Sequence, residues 1–337
     1  MQNILITGGA GYIGTNLTIE LLQRGCKVVV VDDFKNAYVK NINKLKQQFA
    51  NLQVFKTNCC NMQSMEALVK KFKFDTLIHL AAKKYVFESF EHSKAYMQNN
   101  MNSLAVSLAL AEKYKINKIM FASSITVYGE TLTANINETQ PYAPTSPYAK
   151  TKQLGEEMIL SWLAHNKNKT AIIFRFTNPI SANTKFMLGN ESKQHKLSLP
   201  SVLVECILND KSIKLNGNDH PTKDGTPIRD YIHITDLVHI VCDVIEQNNK
   251  AGCEILNVGC GGEGYSVLQM IKAVETVANK SINYSFGPKR EGDIPCIVCD
   301  NTKLINKYGN QKFSNLEQML NDEFLFRKHL STRSHKI

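Results

Sequence analysis

The first forty residues place the strongest constraint on what this chain can fold into. A short apolar run, N-I-L-I-T, is followed at once by the turn G-G-A-G-Y-I-G. A helical segment then ends at Gly25, before a second apolar run, K-V-V-V-V-D-D. A strand, a glycine turn, a helix and a strand in this order are typical of the unit that binds a dinucleotide. We therefore expect a dinucleotide-binding domain at the start of the chain.

The residue types within this unit predict which dinucleotide binds. Gly8, Gly11 and Gly14 have the spacing G-x-x-G-x-x-G, which lets the backbone approach a pyrophosphate at a helix N-terminus. Asp32 ends the second strand, where a carboxylate accepts hydrogen bonds from the adenosine ribose. Because Asp33 follows it, a 2′-phosphate would meet two carboxylates. We therefore expect NAD rather than NADP.

The alternation of short apolar strands and helical segments continues as far as the strand K-I-M-F-A-S-S, which ends at Ser124. Such alternation predicts an α/β fold, here a Rossmann-type doubly wound parallel sheet accompanied by a smaller α/β substrate lobe. Ligands of such sheets lie beyond the carboxyl ends of the strands. Ala81, Lys84 and Ser123 come at or after such ends, so reacting groups are expected there.

Composition excludes several classes of protein. The net charge of +10 over 337 residues is spread along the chain without a nucleic-acid motif. No apolar run approaches membrane-spanning length. The nine cysteines show no disulfide framework, and the C-x-x-C from Cys296 to Cys299 has no second metal-binding pair. We expect a cytoplasmic protein with no metal, no nucleic-acid partner and no membrane partner.

The segment S-P-Y-A-K-T-K contains a second chemical motif. Tyr148 precedes Lys152 by four residues at the start of a helical-looking run, so both side chains lie on one face, one turn apart. Two solvated surface residues would give the same pattern. The spacing alone leaves open whether they are surface groups or a tuned acid–base pair.

Five stretches of the chain together resemble a known family. They are T-G-G-A-G-Y-I-G, S-S-I-T-V-Y-G, S-P-Y-A-K-T-K, the segment from Gly217 to His233, and R-E-G-D-I-P from Arg290 to Pro295. The chain resembles the extended short-chain dehydrogenases and, more closely, the UDP-galactose (UDP-glucose) 4-epimerases. The resemblance implies NAD as cofactor, a UDP-sugar as substrate and a homodimer as the assembly.

The resemblance implies that Ser124, Tyr148 and Lys152 are the catalytic residues. Tyrosine has an ordinary pKa of about 10. We expect the nearby ammonium and the positive nicotinamide ring to lower that pKa and to make Tyr148 a usable base. Tyr148 would take the proton from the sugar O4 while hydride leaves C4, and Ser124 would hydrogen-bond the oxygen. The 4-keto sugar would then turn over before hydride returns to its other face.

The resemblance also implies the binding residues. Those expected at the cofactor are Gly8, Gly11, Tyr12, Ile13, Gly14, Asp32, Asp33, Asn58, Cys59, Ala81, Lys84, Asn99, Ser123, Tyr148 and Lys152. Those expected at the substrate are Lys84, Ser124, Tyr148, Asn178, Arg229, Arg290, Asp293 and Ile297.

Several positions depart from the family pattern. Asn58 replaces the usual acid near the adenine, Thr177 replaces an aromatic residue near the nicotinamide, and Asn216 replaces a phenylalanine at the uracil site. The segment from Lys196 to Pro200 replaces the run that usually touches the uracil and phosphates. We expect Asn58 to accept from the adenine amine, but nucleotide specificity stays open.

The sequence leaves alternatives to a UDP-hexose 4-epimerase. Ile297 occupies a position where smaller residues accept N-acetylated sugars, so UDP-N-acetylhexosamines are alternative substrates, as is UDP-glucuronate. A non-catalytic NAD-binding scaffold is the alternative of another class. Ile125 and Thr126 stand where related dehydratases and decarboxylases carry acids, which argues against both of those reactions.

We predict two domains and an interface between two copies. An NAD-binding Rossmann domain is expected over residues 1–178, with a returning segment near 230–245, and a mainly nucleotide-sugar-binding lobe over residues 179–337. The helices after His92 and Tyr148 carry apolar residues on more than one face, which favours a four-helix contact in a homodimer.

Overall fold

The computed structural model describes residues 2–130, 135–194, 197–290, 293–309 and 311–334. Its strands are β1 (Asn3–Thr7), β2 (Lys27–Asp32), β3 (Leu52–Lys56), β4 (Thr76–His79), β5 (Lys118–Ser124), β6 (Asn135–Ile136), β7 (Thr170–Phe176), β8 (Asn178–Ile180), β9 (Ala182–Asn183), β10 (Leu188–Gly189), β11 (Ile213–Asn216), β12 (Ile228–Arg229), β13 (Tyr231–His233), β14 (Gly252–Val258), β15 (Tyr265–Ser266), β16 (Tyr284–Gly287) and β17 (Cys296–Cys299).

The helices complete the element order. They are α1 (Tyr12–Gln23), α2 (Val39–Gln48), α3 (Met62–Val69), α4 (Val86–Glu91), α5 (Ser93–Lys113), α6 (Pro147–His165), α7 (Leu199–Leu208), α8 (Ile234–Gln247), α9 (Val267–Ala278), α10 (Thr302–Tyr308) and α11 (Leu316–Ser334), with a short 3₁₀-helix at Ile125–Tyr128. Within the described residues, no helix is long and apolar enough to cross a membrane.

A large sheet organises the first half of the chain. Its strand order is β14-β7-β5-β4-β1-β2-β3, and the pairings from β7 to β3 are parallel. Strand β2 shows why: its run of valines from 28 to 31 is buried, as expected for a strand covered on both faces. The predicted Rossmann-type α/β fold is confirmed.

Helix α6 packs very closely on the sheet. A Cβ at Gly155 would lie 2.7 Å from the Phe121 ring of β5, so a glycine is required at this contact. Ile159, Trp162 and Leu163 continue the packed face into the core. The middle of α6 is therefore held firmly against β5.

The chain forms two compact units. The first comprises Met1–Gly129, Glu138–Phe176 and Val238–Asn257, and the second comprises Glu130–Asn137, Thr177–Leu237 and Val258–Ile337. Relative to the predicted boundaries, residues 130–137 group with the second unit, and the returning segment begins at Val238 instead of near residue 230.

The second unit contains small sheets and helices around a core of its own. Strand β12 lies between β15 and β17, β17 also pairs with β6, and β11 pairs with β16. The core includes Leu203, Val204, Leu215, Met270 and Ile271. Within this unit the short strands β9 and β10 pair antiparallel, Leu188 with Asn183 and Gly189 with Ala182.

Candidate active site and nucleotide site

Two glycines of the turn after β1 lie very close to neighbouring backbone atoms. Gly8 has φ +71°, and a Cβ there would lie 2.7 Å from the backbone nitrogen of Ala81. At Gly14 a Cβ would lie 2.6 Å from the Cα of Gly9. Gly11 differs, because its Cβ would meet only the Gly8 carbonyl oxygen at 3.4 Å, an ordinary contact. Gly8 and Gly14 are required by packing, whereas Gly11 leaves its outer side open.

The first turn of α1 fits a bound pyrophosphate. Gly11 is the N-cap residue, no described side chain caps the helix, and the first turn carries no acid. The N–H groups at this end are therefore suited to an anion. Tyr12 and Ile13 are the first two residues of the helix, as expected for backbone contacts to the phosphates.

Asp32 holds the glycine turn against the end of β2. One carboxylate oxygen accepts from the Ala10 N–H at 3.1 Å and the other from the Phe34 N–H at 2.8 Å. Asp33 accepts from the Lys35 N–H at 3.0 Å and lies 3.4 Å from the Lys35 ammonium. The two neighbouring carboxylates fit a ribose better than a 2′-phosphate, so this geometry suits NAD.

The predicted adenine-side residues follow β3. The Asn58 side-chain oxygen accepts from the Cys60 N–H at 2.9 Å, which fixes the turn. Burial raises the pKa of the Cys59 thiol to about 12, so Cys59 is a neutral thiol at physiological pH. Asn99 on α5 contacts this turn through its carbonyl oxygen, which accepts from the Cys60 thiol at 3.4 Å.

The capping of α6 explains how the S-P-Y-A-K-T-K segment starts a helix. Ser146 is the N-cap, and its side-chain oxygen accepts from the Ala149 N–H at 3.2 Å. Pro147 occupies the first helical position, where its missing N–H costs nothing. Helical spacing then places Tyr148 and Lys152 one turn apart on the same face.

Lys152 is nearly buried and has specific partners. Its ammonium donates to the Ala122 carbonyl oxygen at 2.6 Å and lies 4.9 Å from the centre of the Phe121 ring. The same ammonium lies 5.7 Å from the centre of the Tyr148 ring. The structure therefore brings Tyr148 and Lys152 together at the carboxyl end of β5.

The protein's own groups shift the pKa of Tyr148 upward, whereas the expected lowering also counted the positive charge of the nicotinamide ring. Burial raises the pKa of Tyr148 to about 12, and a hydrogen bond with Ser124 opposes that rise. Burial lowers the pKa of Lys152 to about 8, and the charge of Glu156 opposes that fall. The chain's own groups thus keep Tyr148 protonated, because desolvation outweighs the hydrogen bond with Ser124.

Ser124 has a defined orientation. Its hydroxyl oxygen accepts from the Thr126 N–H at 3.3 Å and from the Thr126 hydroxyl at 3.0 Å. The neighbouring residue Ser123 is also buried, and its hydroxyl donates to the Glu156 carboxylate. Lys84, expected at both cofactor and substrate, is exposed in the loop after β4, with its ammonium 5.6 Å from the Tyr85 ring centre.

Asn100 was not predicted as a site residue, yet it holds the Lys84 loop in place. Its side-chain oxygen accepts from the Lys83 N–H at 2.8 Å, and its amide donates to the Lys83 carbonyl oxygen at 3.1 Å. The amide also donates to the Thr151 hydroxyl at 3.0 Å, which bonds the Tyr148 carbonyl oxygen at 2.7 Å. Asn99 and Asn100 are adjacent amides in the sequence, and the family resemblance implies a role for Asn99 alone.

In the second unit, the structure brings three of the predicted substrate residues together. The Arg229 guanidinium donates to the Asp293 carboxylate at 2.6 Å. Arg229 and Ile297 are register partners on the parallel strands β12 and β17, and Ile297 is buried. Asn178 lies on β8, where its side chain donates to the Asp230 carbonyl oxygen at 2.9 Å.

Arg290 and Asn216 form a pair that the sequence did not indicate. With its amide oxygen facing the guanidinium, Asn216 accepts from Arg290 Nε at 3.0 Å and from Nη2 at 2.8 Å. The Arg290 carbonyl oxygen accepts from the Asp293 N–H at 3.2 Å. Asn216 thus replaces the expected aromatic surface with a hydrogen-bonding group that orients Arg290.

Some predicted features fall outside the described residues. Lys196, the first residue of the altered loop, and Glu291 and Gly292 of the R-E-G-D-I-P motif are among them. The rest of the altered loop is partly helical, because α7 begins at Leu199. The part of the chain that the structure describes holds no group of three or more acidic, histidine or cysteine side chains suited to a metal.

Comparisons with known proteins agree with this arrangement. Residues 4–259 match the model of the NAD dependent epimerase/dehydratase family. The UDP-glucose 4-epimerase of Bacillus subtilis is 33% identical over 324 residues, covering 95% of both chains. That of Homo sapiens is 32% identical over 339 residues, covering 97% of both.

A solved structure is also similar over almost the whole chain. The UDP-glucose 4-epimerase of Bifidobacterium longum, crystallised with NAD⁺ and UDP, superposes with a TM-score of 0.92 at 31% identity. The match covers 97% of this chain and 98% of that one. With its glycine turn, its Tyr148–Lys152 pair and these similarities, the chain belongs to the NAD-dependent epimerase/dehydratase family.

Proposed function

We propose that this protein is an NAD-dependent 4-epimerase of UDP-hexoses, which interconverts UDP-galactose and UDP-glucose through a transient 4-keto sugar. The observation that carries the proposal is the Tyr148–Lys152 pair at the end of β5, with Ser124 hydrogen-bonded to the phenol. Its similarity to UDP-glucose 4-epimerases over nearly the whole chain selects the reaction among those such a pair can catalyse.

Tyr148, Ser124 and Lys152 each have a separate role in the proposed proton transfer. Tyr148 accepts the proton of the sugar O4 and returns it, while Ser124 donates a hydrogen bond to the oxygen as it becomes a carbonyl. Bound NAD⁺ supplies the hydride acceptor and a positive ring that favours the phenolate. Lys152 adds a second positive charge, held in place by the Ala122 carbonyl oxygen.

Without added positive charge this phenol is a poor base at neutral pH, because burial raises the pKa of Tyr148 to about 12. Proton abstraction therefore depends on positive charge arriving with the cofactor. Tyr148 would therefore act as a base only when NAD⁺ is bound, since the phenol stays protonated without that charge.

The predicted substrate residues suit a nucleoside diphosphate. Arg229 and Arg290 carry planar guanidinium groups that bind phosphate oxygens in pairs. Asp293, which bonds Arg229, is suited to accept from a ribose hydroxyl. We assign Asn178 and Ile297 to the sugar, with Ile297 as the apolar wall whose size limits the substituent at C2.

The test is to incubate the purified protein separately with UDP-galactose, UDP-glucose, UDP-N-acetylgalactosamine and UDP-glucuronate. Products are followed by NMR, beside a Tyr148→Phe control. We expect inversion at C4 of the UDP-hexoses and a loss of about 10²–10⁴-fold in the control. Conversion of the acetylated sugar or the uronate alone would move the substrate assignment to that sugar. Bound NAD without any conversion would favour the scaffold alternative.

The protein is proposed to be a cytoplasmic homodimer that pairs through α5 and α6. Leu104, Val106, Leu108 and Leu110 of α5 are buried in the protein's own core, so they do not form the second apolar face expected from sequence. The exposed face of α5 instead carries the small residues Ala105 and Ala109, and α6 exposes Leu160.

Small side chains allow two helices to approach closely, which supports this mode of pairing. Sedimentation velocity of the wild type and of Leu160→Glu tests it. We expect a dimer that the substitution dissociates. A monomeric wild type, or a dimer that tolerates the new charge, would exclude this interface.

A further inference from the structure

A third side chain extends the line that Tyr148 and Lys152 form on α6. Glu156 follows Lys152 by four residues, so the three side chains share one helix face. Glu156 is fully buried. An isolated buried carboxylate is costly, so its position one turn beyond the ammonium requires specific partners.

Consecutive residues of β5 hold these groups one after another. The Ala122 carbonyl oxygen accepts from the Lys152 ammonium at 2.6 Å, and the Ser123 hydroxyl donates to the Glu156 carboxylate. The next residue, Ser124, hydrogen-bonds the phenol of the catalytic tyrosine. The end of β5 therefore fixes three positions along α6, of which the Glu156 position has no part in the chemistry described above.

Arg175, on the neighbouring strand, binds the Glu156 carboxylate. It lies on β7 as the register partner of Ser123. Its Nε lies 3.1 and 3.2 Å from the two Glu156 oxygens, and its Nη2 lies 2.7 Å from one of them. The Tyr142 hydroxyl adds a hydrogen bond at 2.9 Å. With side-chain exposures of 3% and 0%, Arg175 and Glu156 form a fully desolvated pair.

Stability alone is a weak reason for such a pair. Buried ion pairs can often be replaced by apolar residues at no cost, since desolvation offsets most of the attraction. A buried carboxylate one turn from an ammonium has a further effect, because it favours the charged form of the amine. Glu156 raises the pKa of Lys152 against the opposing effect of burial.

The other titratable groups around Lys152 do not replace this effect. His79, on the adjacent strand β4, has its pKa lowered to about 3 by burial and is neutral at physiological pH. Tyr148, on the same helix, is neutral below its raised pKa of about 12. Arg175 is positive, and its guanidinium is hydrogen-bonded to the Glu156 carboxylate.

We propose that Glu156 is a positioning residue that keeps Lys152 charged and in place for the reaction, with Ser123 and Arg175 fixing its carboxylate. This inference rests on the proposed function where activity is the readout. It also concerns how the apo chain prepares Lys152 for NAD, which binding can measure without turnover.

The test compares Glu156→Gln, which removes the charge at nearly constant size, with Tyr142→Phe, which removes a hydrogen bond to Glu156 but keeps the charge. NAD affinity is measured by calorimetry over a range of pH, and the ionisation step of Lys152 is identified as the one missing in Lys152→Met. We expect its midpoint to fall by about 1 pH unit in Glu156→Gln and to stay unchanged in Tyr142→Phe. The alkaline limb of kcat should move with it.

A purely structural role for Glu156 predicts a different result. Both variants would then lose thermal stability and rate, with the Lys152 midpoint in its wild-type position, and the inference would be wrong. If the wild type converts no UDP-sugar but the Lys152 midpoint for NAD binding still falls in Glu156→Gln, the proposed function fails and the effect of Glu156 on Lys152 stands.

A balanced variant covers the case in which Glu156→Gln does not fold, since that change leaves the Arg175 charge buried and unpaired. Glu156→Gln/Arg175→Gln removes both charges. Its Lys152 midpoint should also fall, but by less than in the single variant, because losing the positive charge of Arg175 on β7 partly offsets losing the carboxylate that follows Lys152 by one turn on α6. A midpoint equal to that of the wild type would exclude the proposed role.

Discussion

The Lys152 ammonium lies 5.7 Å from the centre of the Tyr148 ring. Their pKa values, about 8 and about 12, differ in opposite directions from those of the free side chains. Burial disfavours the charged form of each group, which lowers the pKa of the amine and raises that of the phenol. The pair therefore provides a lysine that titrates near physiological pH beside a phenol that does not.

The first prediction concerns the pH dependence of turnover. The ammonium of Lys152 is lost as the pH rises through about 8, so kcat should decline above that pH. In Lys152→Arg the guanidinium stays charged to above about pH 12, so this alkaline decline should disappear, at a lower maximal rate. Steady-state rates of epimerisation across the pH range check this. An unchanged decline in Lys152→Arg would assign it to another group.

The second prediction is that Lys152 lowers the stability of the folded protein at neutral pH. Its folded-state pKa of about 8 lies below the unfolded value of about 10.4, so the folded state binds fewer protons between these values. The cost is fully present below pH 8 and is relieved as the pH rises to about 10.4. We expect Lys152→Met to raise the free energy of unfolding at pH 7 by about 1–3 kcal/mol while abolishing activity.

Urea denaturation at pH 7 and at pH 10 measures this effect, which should shrink at the higher pH. Lys150→Met is the matched control, because Lys150 is an exposed lysine on the same helix. Its free energy of unfolding should change by less than about 0.5 kcal/mol. An equal gain in both variants would mean that the burial of Lys152 is not the cause.

The third prediction separates two glycines of the turn. Gly11→Ala places its Cβ 3.4 Å from the Gly8 carbonyl oxygen, so the free energy of unfolding should change by less than about 1 kcal/mol. NAD affinity should fall at least about tenfold, because the methyl group stands at the helix N-terminus where a phosphate approaches.

Gly14→Ala should instead destabilise the fold by about 2 kcal/mol or more, because its Cβ would lie 2.6 Å from the Gly9 Cα. Thermal denaturation and NAD titration of both variants distinguish the two effects. Unimpaired NAD binding by Gly11→Ala would place the pyrophosphate elsewhere.

The fourth prediction follows from the pair formed by Asn216 and Arg290. Asn216→Ala removes the oxygen that accepts from the guanidinium at 3.0 and 2.8 Å, so Arg290 loses its orientation. If Arg290 binds the diphosphate, UDP affinity should fall about fivefold to tenfold, while uridine affinity stays the same. Calorimetry with both ligands tests this. Asn218→Ala, at an exposed asparagine two residues on, is the control and should leave both affinities unchanged.

The fifth prediction concerns Asp230, which is buried in the second unit. Its carboxylate accepts from the N–H groups of Cys260, Gly261 and Cys299 at 3.0, 3.3 and 3.3 Å, and from the Cys299 thiol at 3.2 Å. Asp230→Ala should lower the free energy of unfolding by about 3 kcal/mol or more, because buried donors lose their acceptor. The exposed Asp219→Ala is the control for urea denaturation, and an equal effect there would refute the explanation.

The sequence was sufficient where neighbouring residues carry the information. The glycine turn, the acid at the end of β2 and the helix begun by Ser146 and Pro147 all depend on short spacings, so the Rossmann-type fold could be predicted. Cross-strand contacts are different. No short sequence pattern indicates the hydrogen bonds of Asn100 with the Lys83 backbone or the ion pair of Glu156 with Arg175.

The pKa of Tyr148 shows a second limit. Spacing identified the neighbouring ammonium, but the degree of burial decides whether that ammonium outweighs desolvation. Burial is a property of the packed chain, and here it raises the pKa to about 12. Asn216 likewise looked like the loss of an aromatic surface, because its guanidinium partner lies on a distant segment.

The first compact unit is assembled from three separate stretches of chain, and its edge strand β14 belongs to the last of them. Lys118 of β5 also depends on that last stretch, because its ammonium donates to the Ile245 carbonyl oxygen at 2.5 Å. A chain emerging from the ribosome, N-terminus first, therefore exposes β7 as an open sheet edge while residues 177–251 are still being made. The time taken to translate residues 177–251 therefore sets how long the free edge of β7 can pair with a strand of another chain.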